Sequence, residues 1–158
     1  MKHLIILMVM MITSTTFTFS QYVGKVFIGN SIEKTIDQCI SLGYDFVEKK
    51  DDVIIFSTST NNEISDVDAR ITFFASPKSK TVWFASVDLQ YETKRDLKKK
   101  FLKMFRHLKD KHGNPNSVVR NRITWDDGYS FVYIEKSKNK LEYVVASTKA
   151  FADTFSEF

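Results

Sequence analysis

The chain has 158 residues, with 23 Lys and Arg against 19 Asp and Glu, and Phe, Tyr and Trp make up 14% of it. Five glycines and two prolines are too few for a disordered or low-complexity chain, so the composition is that of a folded globule. Cys39 is the one cysteine, which excludes an internal disulfide framework.

At the amino terminus Lys2 and His3 precede an unbroken apolar run, 4–12, that gives way to a hydroxyl-rich stretch from Thr13 to Ser20. The run is too short for a membrane helix, which needs about 20 apolar residues. Thr18 and Ser20 supply the small residues of a cleavage site. Residues 1–20 are therefore expected to be a secretory signal peptide. Residues 21–158 are expected to form a single domain, exported to a periplasm or beyond the cell, with no transmembrane segment after signal removal. About 138 residues would remain, enough to bury roughly two thirds of the unfolded surface in one core.

A strand-like run at 23–28 leads into a helix capped by Asn30 or Ser31, with Ile32, Ile36 and Ile40 every four residues and Gly43 closing it. Cys39 falls beside Ile32 on that helix and reads as a small buried hydrophobe. Strands are expected at 44–49 and 53–57 around an Asp51-Asp52 turn. In the next strand Val67, Ala69, Ile71 and Phe73 alternate with Asp68, Arg70, Thr72 and Phe74. Its partner, 81–89, places Trp83, Ala85, Val87 and Leu89 on one face. Thr93 and Asp96 have capping-box spacing ahead of a helix with the apolar stripe Leu97, Phe101, Met104, Phe105 and Leu108, and Gly113 and Pro115 end it. A strand ending near Trp125, a turn at Asp126-Asp127-Gly128, and strands at 129–135 and 141–147 follow. Phe151, Phe155 and Phe158 keep helical spacing in the tail. The order is β-α-β-β-β-β-α-β-β-β, which predicts an α+β fold: a mainly antiparallel sheet with two helices packed on one face. No internal repeat is legible.

The segment Val26-Phe27-Ile28-Gly29-Asn30-Ser31-Ile32, the helix exit Leu42-Gly43-Tyr44, the exit Lys111-His112-Gly113-Asn114-Pro115 and Trp125 together resemble small exported proteins of gut Bacteroidetes, most without an assigned activity. The resemblance spans most of the mature chain and implies export and this fold. Its motifs are caps and turns, so it carries no functional residue, and His112 stands where an aromatic is usual.

The residues nominate no catalytic group, cofactor or metal. His107 and His112 are five apart and diverge on a helix, unlike a zinc pair. There is no nucleophile elbow, no cysteine-histidine pair and no glycine-rich phosphate loop. The acidic pairs Asp51-Asp52, Asp66/Asp68 and Asp126-Asp127 lack the loop spacing of a calcium site, and two of them sit in turns, where Asp is common.

The second helix departs from this plain surface. Nine cations (Lys94, Arg95, Lys98, Lys99, Lys100, Lys103, Arg106, Lys109 and Lys111) stand against Asp96 and Asp110, a local charge of +7, while the rest of the mature chain sums to −4. Lys98, Lys99, Lys103 and Arg106 are accordingly the candidate binding residues, for an anionic envelope component or another secreted protein rather than nucleic acid. The leading expectation is a non-enzymatic exported binding protein. Two alternatives stand beside it: an inhibitor or immunity-type protein using this helix or the sheet face bearing Phe74, and an enzyme assembled from Asp126, Asp127, Tyr129 and His112.

Overall fold

A computed structural model describes residues 22–58 and 67–147. The expected signal peptide, Asp66 and the phenylalanine-rich tail lie outside the described residues. Two-residue strands β1 (Tyr22–Val23) and β2 (Val26–Phe27) form a hairpin before helix α1 (Ile32–Ser41). Four strands follow, β3 (Asp45–Lys50), β4 (Val53–Thr58), β5 (Ala69–Ala75) and β6 (Val82–Gln90). Helix α2 (Lys94–His112) then leads to β7 (Ser117–Val119), β8 (Arg122–Asp126), β9 (Ser130–Ser137) and β10 (Lys140–Ser147). Strands β3 to β10 form one antiparallel sheet in the order β3-β4-β5-β6-β10-β9-β8-β7. The architecture is the α+β one read from the sequence, with two short additions: the β1–β2 hairpin replaces a single strand, and β7 precedes the strand that holds Trp125.

The caps explain where the helices begin and end. Ser31 is the cap of α1, its Oγ accepting from the Lys34 N–H at 3.3 Å. Asn30 is buried instead and donates its amide to Gln38 at 3.0 Å. At the other end Tyr44 N–H bonds the Cys39 carbonyl and Gly43 N–H bonds that of Ile40, the paired closure that a left-handed residue permits, and Gly43 has φ +76°. Thr93 caps α2 by accepting from the Asp96 N–H, and its hydroxyl donates to the Asp96 carboxylate at 2.6 Å.

Both helices cover the same face of the sheet. Ile32 and Cys39 of α1 and Leu97, Phe101 and Leu108 of α2 join one core with Phe56, Ile71, Phe73, Val87, Leu89, Ile134 and Leu141. Cross-strand register puts these sheet residues on one side, because pairs such as Phe56↔Ile71, Ile71↔Val87 and Leu89↔Leu141 lie directly opposite one another. Trp83 departs from its expected place. It is the extra residue of a bulge opposite Phe74 and Ala75, so Val82 takes the buried position and Trp83 is half-buried.

The two halves repeat one arrangement, a helix followed by a four-stranded meander, joined where β6 pairs with β10. In each half the chain entering the helix bonds the turn between the third and fourth strands: Ile32 N–H to Lys80 O at 2.9 Å, and Tyr91 N–H to Asn139 O at 2.8 Å. Among the described residues the four non-glycine residues with positive φ also fall at matching turns. Asp51 and Arg120 sit between first and second strands, and Lys80 and Lys138 between third and fourth.

Candidate binding surface on the second helix

Helix α2 lays its apolar stripe on the sheet, so its cations are left on the outside and along one flank. Lys98, Lys99, Lys103 and Arg106 are all exposed, and none has a hydrogen-bond or ion-pair partner among the described residues. At about 100° per residue Lys99 and Arg106 point most directly away from the buried stripe of Leu97, Phe101 and Leu108, with Lys103 about 40° to the cleft side and Lys98 about 100° to the other side. The four are therefore not one cluster. Arg95, Lys99, Lys103, His107 and Lys111 follow one another at intervals of four, a single row of basic side chains along the helix. Like charges at this spacing each cost a few tenths of a kcal/mol, and Lys94 and Arg95 also oppose the helix dipole at the amino end. The helix keeps this charge at some expense to its own stability.

Leu102 lies about 60° from the outward direction, between Lys98 and Arg106 at four residues to either side, and is 41% exposed. The sequence does not single it out, since the core stripe is complete without it. An apolar residue off the stripe and ringed by cations was the signal available.

Two clefts flank the helix. The first, about 340 Å³, lies between α2 and the sheet and is lined by Lys100, Lys103, Met104, His107, Leu108 and Lys111 above Val87, Leu89 and Tyr143, with Gly24 at its edge. The second, about 610 Å³, shares Lys100 and Lys103 but adds Asp68, Glu92 and Asp96. Positive charge is thus balanced in the larger cleft and unbalanced in the smaller. Burial lowers the Lys111 pKa and raises that of Tyr143, so the phenol stays protonated at any physiological pH.

Of the residues considered for an enzyme, Asp126, Asp127 and Tyr129 come together as a turn, and His112 lies near enough to feel the Asp127 charge. Asp126 Oδ1 accepts from the Gly128 N–H at 2.8 Å, and Asp127 Oδ1 accepts from the N–H groups of Tyr129 at 2.9 Å and Ser130 at 2.7 Å. Both carboxylates hold the β8–β9 connection. Tyr129 is 71% exposed, and neither cleft beside α2 is lined by any of these residues or by His112. Among the described residues no three His, Cys, Asp or Glu side chains stand close enough to hold a metal ion.

The face of the sheet away from α1 and α2 is ordered in three bands that the sequence did not reveal. A charged band runs Arg122, Glu135, Glu142, Asp88, Arg70 across five strands, each directly opposite the next. Two residues along, Thr72, Ser86, Val144, Tyr133 and Thr124 form a band of small and hydroxyl groups. Two further on, Val53, Phe74, Phe84, Ala146 and Phe131 form an apolar band with a Phe74–Phe84 ring contact at 5.2 Å.

No protein-family model matches the chain, nor does any curated protein or any solved structure. Among the described residues no helix is long and apolar enough to cross a membrane.

Proposed function

We propose that the protein is an exported, non-enzymatic binding protein that meets an anionic component of the cell envelope through the outward face of α2. The observation that carries this reading is the set Lys98, Lys99 and Arg106 around exposed Leu102, with Lys103 on the adjoining flank, all without an internal counter-charge among the described residues. Cations alone are an ordinary way to solubilise a helix. An apolar side chain in their midst is what a membrane or protein surface receives.

The test is co-sedimentation of residues 21–158 with vesicles of mixed neutral and anionic lipid, beside a variant with Lys98, Lys99, Lys103 and Arg106 changed to Glu. The expected result is binding that weakens as salt shortens the screening length from about 10 Å at 0.1 M to about 3 Å at 1 M, and that is lost in the variant. Equal sedimentation of both proteins, or of neither, would sink the reading.

A second reading, an inhibitor or immunity-type protein, is favoured by the half-buried row Phe74, Phe84 and Phe131 on the face of the sheet away from α1 and α2. Capture of one stoichiometric secreted protein by the wild type, lost on changing Phe74 to Asp and retained by the helix variant, would favour it over the first.

A further inference from the structure

We propose that the smaller cleft, between α2 and the sheet, binds a small amphiphilic carboxylate, its head held by Lys103, Lys111 and the Tyr143 hydroxyl and its apolar body lying along Met104. The inference rests on the reading of α2 as the binding element and moves from its outward face to its inner flank.

The lining decides the chemistry of the ligand. Lys103 and Lys111 bring donors and no acceptor, and among the described residues no carboxylate lines the cleft, whereas its neighbour carries three; Lys100, shared by both clefts, has an interaction of its own. Whatever occupies it must bring acceptors, and a negative charge answers the unbalanced positive one. Tyr143 sharpens this. It stands on β10 opposite Val87 and Ile134, on the face toward the helices, and lines the cleft as a half-buried side chain. An anion at the cleft floor would accept a hydrogen bond from the Tyr143 hydroxyl. Lys111 is partly stripped of water there, and an adjacent anion would restore what the ammonium lost.

The remaining surface limits the body of the ligand. Val87, Leu89 and Leu108 seal the floor and are almost fully covered, while Met104 is half-buried and its unbranched chain adapts to the shape laid against it. A volume of about 340 Å³ is at the small end of ligand sites, which run from about 300 to 1,000 Å³. It suits one short chain or ring and leaves no room for a two-chain lipid.

The experiment is calorimetric titration of residues 21–158 with octanoate at 0.15 M salt, with acetate and octanol as controls. Octanoate is expected to bind saturably at one site and at least about tenfold tighter than either control, a difference of about 1.4 kcal/mol. Lys111→Gln and Tyr143→Phe should each weaken it several-fold without altering the melting temperature by more than a degree or two. The combined variant Lys98→Glu, Lys99→Glu, Arg106→Glu, which spoils the outward face, should bind octanoate as the wild type does. Absence of saturable binding, equal binding of octanol, or equal losses in the outward-face and cleft variants would each overturn the proposal. Because vesicle binding follows the outward residues and octanoate follows Lys111 and Tyr143, either reading can fail while the other stands.

Discussion

Trp125 donates its indole N–H to the Gly113 carbonyl oxygen over 3.0 Å, tying β8 to the residue that ends the long helix. The indole is fully buried and lies against the Phe105 ring at 6.1 Å, so one side chain fixes where α2 stops and how it seats on the sheet. Gly113 itself holds φ +78° and ψ −154°, a backbone that a side chain disfavours. Trp125→Phe should therefore cost about 1–3 kcal/mol through the lost hydrogen bond and partial cavity. Gly113→Ala should cost about 1–3 kcal/mol through strain alone. Urea unfolding of both single variants and the double variant checks this. Less than additive losses are expected, because the two residues share one junction.

This junction also marks what a sequence can and cannot convey. Gly113 and Pro115 announced the end of α2, and period-two alternation announced β5, because both depend on residues a few positions apart. The pairing of β6 with β10 joins residues more than fifty positions apart, such as Ser86 and Val144, and no local pattern encodes it. The bands on the face away from α1 and α2 follow from that pairing, so the charged ladder and the aromatic row were hidden with it. Trp83 was misplaced for a related reason, since one extra residue in a strand reverses the faces beyond it. The candidate lysines were legible as charge, whereas their division between an outward face and a cleft depends on what the helix packs against.

Cys39 is fully buried, and burial pushes its thiol up to about 12. Only the thiolate reacts, so the folded protein should leave a thiol reagent unconsumed at pH 8 over a time in which the urea-unfolded chain reacts to completion. Rapid labelling in the native state, or a disulfide-linked dimer under oxidising conditions, would show that α1 lifts from the sheet more readily than its packing implies.

His112 closes α2 in a half-buried position. Burial, followed by the nearby charges of Lys111 and His107, lowers its pKa from 6.5 to about 4, with Asp127 opposing. The sign follows directly. Between pH 6.5 and 4 the unfolded chain takes up a proton at this histidine and the folded chain does not, so stability is lost as pH falls through that window. Discounting for partial exposure, the loss is about 1 kcal/mol rather than the full shift. His112→Phe, which keeps a ring of similar breadth, should remove this part of the slope. Thermal unfolding of both proteins at steps from pH 7.5 to 4 reads the difference, and parallel curves would assign the acid sensitivity to other groups.

Glu142 sits between two other carboxylates on the face away from α1 and α2, directly opposite Glu135 on one side and Asp88 on the other. Its neighbours have their own cations: Arg122 pairs with Glu135 and also lies 4.4 Å over the Tyr133 ring, and Lys140 stands 2.7 Å from Asp88 Oδ1 in an ion pair without hydrogen-bond alignment. Glu142 has instead two neutral donors, the Ser86 hydroxyl at 3.3 Å and the Tyr133 hydroxyl at 3.2 Å. Together with burial, its charge and this bond hold the Tyr133 phenol up to about 12. Like charges directly opposite one another in a sheet are destabilising by roughly 0.2–1 kcal/mol. Glu142→Gln keeps an acceptor for both hydroxyls and removes the repulsion, so it should leave stability unchanged or raise it by up to about 1 kcal/mol. Glu142→Ala strands the two hydroxyls and should cost about 1–3 kcal/mol. The opposite signs of the two substitutions in urea unfolding are the diagnostic. If Glu142→Gln were instead destabilising by more than about 1 kcal/mol, the charge-assisted bonds from Tyr133 and Ser86 would outweigh the repulsion, and Glu142 would be an anchor of that face rather than its strained centre.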